Sequence, residues 1–483
     1  MKRSILFALL LTASASCQAQ PADVAVQRAH ELAAMLGAED RARVVAYMED
    51  AYSPSFLERV PIDRQIQRFG YLHDRTHGVR VHRAAVTEAG EAEAVVQSAL
   101  TGEWLEMTVA VEPEPPHRVT AARFRSLDNP PGDAPRPAAR SEAEAVRALR
   151  AYMARLAQAE YFSGVVLLAR EDSVLFHAAY GDASREYGAA NRPSTRFNLA
   201  SMNKMFTAVA VLQLVEGGRL SVADSVVAYL PGILPPDAGR RVRIEHLLSH
   251  TGGVGPNYQR RWGAADPTRI DGVEAWLSFA EDDTLAFEPG TRYAYSNAGY
   301  AILGAIVEQV SGQDYYDYLR EHVLEPAGMD RTGFFRADAV VPDRATGYRK
   351  TFTLDGTTFQ NTTTWNPIRG GPAGGGYSTA ADLLGFVRAL RGGTLLQPET
   401  VARLFSAKTD LGADAYGFGF NVEYEPEHIV GHGGATYGAS TNLDVFLDSG
   451  YTAVVLSNFG GVVATPVVRK VRQLVRAMRQ ANE

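Results

Sequence analysis

Ser201-Met202-Asn203-Lys204 sets a hydroxyl three positions before an amine. Positions i and i+3 share a helix face, so the two groups become neighbours wherever this stretch is helical. Met205, Phe206, Val209, Leu212 and Val215 follow at helical spacing, and Glu216-Gly217-Gly218 ends the run. In the first turn of a helix the free amides and the dipole favour negative charge on the serine oxygen. An amine held neutral beside that oxygen can take its proton. Lysine is scarce here, with Lys2, Lys204, Lys350, Lys408 and Lys470 as the whole set. In a chain that otherwise uses arginine, a lysine inside an apolar helix points to an amine that must deprotonate, which a guanidinium does not do. Ser201 reads as a nucleophile and Lys204 as its base.

Two other stretches carry groups suited to the same chemistry. After the Glu288-Pro289-Gly290 turn comes Tyr293-Ala294-Tyr295-Ser296-Asn297, read as a loop before a helix from Tyr300 to about Val310. In an extended chain residues i and i+2 point the same way, so the Tyr295 phenol and the Asn297 amide face one cleft. An aromatic-rich loop packed on itself is the alternative. Gly431-His432-Gly433-Gly434-Ala435 reads as a histidine at a strand end beside two glycines, where backbone amides can approach a ligand. A hairpin turn with an incidental histidine is the alternative there.

Three stretches invite other chemistry and do not support it. His246 and His250 lie four apart on a short helix read over Arg243–His250, but the Leu-Leu-Ser between them lacks the glutamate of a metalloprotease. His73, His77 and His82 have no recognised ligand spacing. Gly370 to Gly376 holds five glycines around Pro372-Ala373, without a lysine or Gly-x-Gly-x-x-Gly order. It reads as a tight turn that brings backbone to the cleft. No metal and no cofactor are expected.

The elements that must position these groups fall into two domains. At 483 residues the chain is long for one core. It is 46% hydrophobic and 21% charged, and its net charge of −7 gives no basic footprint for nucleic acid. Residues 1–19 read as a signal peptide: Lys2 and Arg3, an apolar run from Ile5 to Leu11, then small residues with cleavage after Ala19. The protein is therefore expected to be exported, periplasmic or secreted. A lipid anchor at Cys17 is the second reading, against which stands Ser14, where a lipobox prefers leucine. No later run reaches 18 apolar residues, so no transmembrane span is expected in the mature chain.

Residues 22–127 read as a small α+β module. Its helices are placed at Val24–Leu36, Arg41–Met48 and near Arg59–Phe69, and its strands at Gly78–Val86, Ala92–Leu100, Glu103–Val111 and Arg118–Arg125. No chemistry is read in it. Residues 128–140 are a proline-rich linker. Residues 141–483 form the second domain. It opens with a helix from Ser141 to about Ala159, with Ser141 and Glu144 spaced as a capping box. Strands Phe162–Arg170 and Val174–Gly181 follow, then the serine helix and a mostly helical stretch to about residue 395, including a helix over Tyr377–Leu390. Strands Tyr416–Glu423, His428–His432, Thr441–Leu447 and Thr452–Ser457 come next. A last helix, Pro466–Met478, carries an apolar stripe of Val467, Val471, Leu474, Val475 and Met478.

Taken in order, Ser201-Met202-Asn203-Lys204, Tyr295-Ser296-Asn297 and His432-Gly433-Gly434 resemble the serine β-lactamase and penicillin-binding protein superfamily, in its class C-like branch. The resemblance runs from about Glu142 to Arg476. It includes His246–Gly253, Pro372–Ser378 and Val454-Val455-Leu456-Ser457-Asn458. It implies an α+β fold: an antiparallel sheet built from both ends of the domain, flanked by helices, with a helical subdomain. It also implies an exported serine hydrolase that cleaves an ester or amide, peptide or lactam, through an acyl-enzyme on Ser201. Lys204 and Tyr295 would share the proton transfers, and Asn297 would position substrate and steady Lys204. The amides of Ser201 and Ala435 would form an oxyanion hole beside Gly434. His432 would line the leaving-group side or meet a substrate carboxylate. The implied partner is a small-molecule or peptide substrate, and the sequence carries no reading of oligomeric state.

One position departs from the pattern, since class C β-lactamases carry Lys-Thr-Gly where this chain has His432-Gly433-Gly434. Lysine near its usual pKa of about 10.4 is a cation at pH 7, whereas histidine near its usual pKa of about 6.5 is mostly neutral there. A cationic His432 on a substrate carboxylate would make turnover of anionic substrates fall as pH rises through about 6–7. The alternative in another functional class is a catalytically silent binding or sensor protein of the same fold, whose Ser201 adduct persists.

Overall fold

The computed structural model describes residues 20–482 apart from 89, 128, 129, 135–138 and 354. The export signal over 1–19, Cys17 and part of the proline-rich linker lie outside the described residues. The chain divides into two compact units. One runs through Ala134 and includes Phe352–Gly356, and the other holds the rest.

In the first unit α1 (Pro21–Met35), α2 (Arg41–Ala51), α3 (Pro54–Arg59) and α4 (Ile62–Thr76) precede β1 (Val79–Glu88), β2 (Glu91–Ser98), β3 (Trp104–Val111) and β4 (Val119–Leu127). The strands pair antiparallel in sequence order. The single helix expected near Arg59–Phe69 is two. Pro61 forces Val60 into an extended conformation, so α3 ends there and α4 starts afresh. Apolar side chains from the helices, among them Leu32, Met48 and Phe69, pack on Val96, Met107 and Val109 of the sheet. Two of the three histidines stack on each other, and the third lies apart from them. His73 stacks between Phe69 and His77, and its Nδ1 bonds Leu36 O at 2.9 Å. His82 faces Asp133 at 3.1 Å.

The second unit opens with α5 (Glu142–Gln158). Ser141 Oγ accepts from the Glu144 N–H, but the Glu144 carboxylate reaches back to the Arg140 N–H. The reciprocal half of the expected capping box thus falls one residue earlier. Next come β5 (Gly164–Arg170), β6 (Ser173–Tyr180), the short β7 (Phe197–Asn198), α6 (Asn203–Glu216), α7 (Ile244–Leu248) and α8 (Asn297–Ser311). The chain closes with β8 (Tyr377–Ser378), α9 (Ala380–Arg391), β9 (Asn421–Glu423), β10 (Ile429–Thr436), β11 (Ala439–Phe446), β12 (Tyr451–Ser457) and α10 (Ala464–Asn482).

A six-stranded antiparallel sheet runs β9-β10-β11-β12-β5-β6, so the two ends of the unit meet where Val454 pairs with Leu167 and Leu456 with Val165. All seven residues of β12 are buried, as they must be in a sheet covered on both faces. The stripe Val467, Val471, Leu474, Val475, Met478 of α10 is buried throughout, and α10 packs on α5 and β12. Val165, Leu167, Val454 and Leu456 belong to the core that also holds Phe206 of α6 and Phe386 of α9. From Asn203 to Leu212, α6 is buried all round, as an apolar helix without a polar face must be.

Several boundaries differ from the sequence reading. α8 begins at Asn297 rather than Tyr300, because Ser296 caps it by accepting the Gly299 N–H. Tyr377 and Ser378 pair with β7 instead of starting a helix, and Thr379 caps α9. The strand expected from Tyr416 shrinks to β9, since Gly419 (φ 79°) turns the chain just before it. β10 extends through the glycines to Thr436, so His432 lies in mid-strand and not at its end. Among the described residues no helix is long and apolar enough to cross a membrane.

Candidate active site

Ser201 sits in a single 3-10 turn, Ala200–Met202, that leads into α6. Ala200 before it has φ 48°, a left-handed conformation that costs a residue with a Cβ about 1–3 kcal/mol. Its neighbours hold it there. The Ala200 N–H donates to Asn198 Oδ1 (2.8 Å), and its carbonyl accepts from the Gly375 N–H (3.1 Å). The approach is fastened by the β7–β8 pairing and by the Leu199 N–H on Gly376 O at 2.7 Å. The glycine-rich turn makes this fit. A Cβ at Gly374 would lie 2.7 Å from Ala200 O and 3.3 Å from Ser201 N.

Lys204 is one turn further on and fully buried. Its Nζ lies 3.3 Å from Ser201 Oγ, 2.7 Å from Asn297 Oδ1 and 2.6 Å from Ala373 O. Burial holds its pKa well below the ordinary 10.5. The partners match a neutral amine. Two are carbonyl oxygens that only accept, which uses both N–H groups. The third is a hydroxyl that can donate, which leaves the nitrogen lone pair facing the serine proton. Asn297, the first residue of α8, thus reaches Lys204 from the opposite side of the site, and Tyr295 precedes it by two residues. The Tyr295 ring centroid lies 4.7 Å from Lys204 Nζ, and its phenol neighbours Ser201. With 43% of its surface still exposed, partial burial raises the Tyr295 pKa above its usual 10, and the neighbouring Ser201 hydroxyl pulls the other way. The phenol therefore keeps its proton at neutral pH, and the amine is the group able to accept one.

β9 pairs with β10 over Ile429–Gly431, and beyond that point β10 packs against the serine turn. Gly434 is the close contact. A Cβ there would meet Leu199 O at 2.4 Å, Thr441 Oγ1 at 2.6 Å and Ala200 Cβ at 2.9 Å. Gly434 is thus what lets β10 approach Ser201, with Ala435 next along the strand. Gly434→Ala should destabilise the protein by about 1–3 kcal/mol through overpacking. By moving the strand from the serine it should also lower kcat on an ester by about 10–100-fold. Urea unfolding and steady-state kinetics check both, and wild-type values would show that the strand and serine turn need no such closeness.

His432 lies on β10, two residues before Gly434. It is buried, its Nδ1–H donates to Gly433 O (2.5 Å), and its Nε2 accepts from the Tyr416 hydroxyl (3.0 Å). Burial, the leading cause, pulls its pKa down to about 3. It is a neutral imidazole at working pH and offers no cation to a substrate carboxylate.

The four side chains Ser201, Lys204, Tyr295 and Asn297 do converge. Two groups packed against these side chains escaped the sequence reading. The Ala373 carbonyl on Lys204 is a backbone group, and its one signal is the glycine-rich turn around it. His250 was weighed as a metal ligand. It instead packs against Tyr293, Tyr295, Tyr300 and Tyr416, with centroids 4.4–5.8 Å away. His246 accepts the Arg243 N–H at 3.1 Å on Nδ1 and shares no site with it.

Comparison with known proteins gives one consistent neighbourhood. A family model described as Beta-lactamase matches residues 143–476. Penicillin-binding protein 4 of Amycolatopsis lactamdurans is 30% identical over 333 residues, covering 65% of this chain and 84% of that protein. Esterase EstB of Burkholderia gladioli is 31% identical over 293 residues, covering 54% of this chain and 74% of that protein. Among solved structures, a penicillin binding protein from Bacillus halodurans superposes with a TM-score of 0.60 at 29% identity, covering 66% of this chain and 98% of that one.

Proposed function

The chain belongs to the beta-lactamase family as a serine hydrolase, and from that premise we propose that it cleaves an ester or amide through an acyl-enzyme on Ser201. The observation that carries this reading is the buried Lys204 amine, with Ser201 Oγ, Asn297 Oδ1 and Ala373 O around it. Lys204 takes the serine proton as Oγ attacks the acyl carbonyl. Tyr295 gives its proton to the leaving group and recovers one from the Lys204 ammonium, so the amine is neutral again for deacylation. The N–H groups of Ser201 and Ala435 receive the developing oxyanion, each worth about 2.7–4 kcal/mol. Asn297 keeps the amine aimed. Water then enters by the same path and releases the acid. No step calls on a metal or organic cofactor.

Within that chemistry the neutral His432 favours substrates without a carboxylate beside the scissile bond. A lactam or D-peptide presents one there, and nothing at the third-motif position would balance its charge. Esters and simple amides fit better, and the likeness to an esterase supports this. We also place the enzyme outside the cytoplasm, on the charge-then-apolar pattern of residues 1–19.

The test is intact mass after brief exposure to a small activated ester and, separately, to a penicillin, with the modified residue located by digestion. A transient adduct on Ser201 with the ester, and slow or no reaction with penicillin, is expected. No adduct and no turnover with either reagent would overturn the acyl-enzyme reading. A penicillin adduct that persists for hours, without ester turnover, would favour a silent sensor. With His432 neutral, anionic and neutral esters should also share one pH profile between about pH 5.5 and 8. A divergence centred near 6.5 would restore a titrating histidine.

A further inference from the structure

His250 plays no part in the chemistry above, yet it is buried in the aromatic wall behind Ser201, with 1% of its surface exposed. Two residues beyond α7, it adopts a left-handed backbone, φ 60°. Its carbonyl accepts from the Ala294 N–H (2.9 Å). Its Nδ1 accepts from the Ser296 N–H (3.1 Å). These two bonds flank Tyr295, so its backbone cannot turn without breaking one. The ring itself lies 4.4 Å from the Tyr295 ring, centroid to centroid. Because an N–H faces Nδ1, the ring is neutral and carries its hydrogen on Nε2. Nε2 is buried without a hydrogen-bond partner among the described residues, in a ring that packs on Tyr300 and Tyr416. Space-filling alone does not account for a residue that carries both a left-handed backbone and an orphaned buried N–H. The acceptor at Nδ1 does.

We propose that His250 is a positioning residue: its Nδ1 bond to Ser296 and its ring contact with Tyr295 set the angle at which the phenol meets Ser201 and the leaving group. The proposal rests on the acyl-transfer reading of the site.

The two contributions can be separated. His250→Asn keeps an acceptor near the Nδ1 place and tolerates the left-handed backbone, but lacks the ring. His250→Phe keeps a ring and lacks the acceptor. The experiment measures single-turnover acylation on a nitrophenyl ester and on an alkyl ester of the same acid. It compares the wild type, both variants, Tyr295→Phe and the corresponding double variants. A nitrophenolate departs without a proton, whereas an alkoxide needs one. Each His250 variant should slow acylation by the alkyl ester about 10–100-fold, with KM within about threefold of wild type. The loss on the nitrophenyl ester should be much smaller, and in the Tyr295→Phe background the His250 change should cost little more. Equal losses on both esters, or losses that multiply independently with Tyr295→Phe, would overturn the proposal. If the wild type acylates with neither ester at Ser201, the hydrolase reading fails and the proposal falls with it, before any His250 variant is compared. Should one variant not fold, the other still decides.

Discussion

Ser201→Ala is expected to hydrolyse activated esters about 10^5-fold more slowly than wild type while keeping its fold. The loss is large because the serine, its base and the proton donor act as a unit, and only binding and the oxyanion site remain once the nucleophile is gone. The fold survives because Oγ holds nothing else in place. Its neighbours are Lys204 Nζ and the Tyr295 phenol. Without Oγ, Asn297 Oδ1 and Ala373 O still take both N–H groups of the neutral amine, so no buried donor is orphaned. The left-handed Ala200 keeps its bonds to Asn198 and Gly375. Thermal unfolding should therefore move by no more than about 1 kcal/mol. Residual activity above about 1% of wild type would place the nucleophile elsewhere.

Some of this site was legible in the chain and some was not, for physical reasons. Ser201 and Lys204 were legible because i and i+3 neighbours on a helix are fixed by local geometry. Tyr295 and Asn297 were found through an extended-loop argument that holds for Tyr295 and the extended Ser296 but not for Asn297, which is already helical. Asn297 opens α8, and it meets Lys204 because the capped start of that helix is brought against α6 in the core. The charge of His432 was not legible. Its residue type allowed a cation, and only burial beside Lys204 decided against one. His250 was hidden for a related reason, since its partners in the Tyr295 loop lie more than forty positions away and both of its hydrogen bonds there go to backbone N–H groups. Long-range backbone contacts leave glycines, prolines and positive φ values as their trace, and these name a place without naming its partner.

Lys204→Met should lower ester turnover by about 10^3-fold or more, by removing the base while leaving the nucleophile. The same variant carries a second signature that a merely misfolded protein would not. In wild type the burial of Lys204 holds its folded pKa well below the ordinary 10.5 of the unfolded chain. Between those two values the unfolded state binds the extra proton, so wild-type stability rises with pH, at most about 1.4 kcal/mol per pH unit. The penalty is largest below the folded value and vanishes above 10.5. Methionine removes this dependence. It also leaves Asn297 Oδ1 and Ala373 O without their donor, a fixed cost of about 1–3 kcal/mol for each acceptor that does not vary with pH. Urea unfolding at pH 7 and pH 9 should therefore show the wild type gaining on Lys204→Met as pH rises, whatever the offset between them at pH 7. A difference that stays constant over that range would mean that Lys204 keeps its proton in the folded protein. The base would then have to be sought in Tyr295.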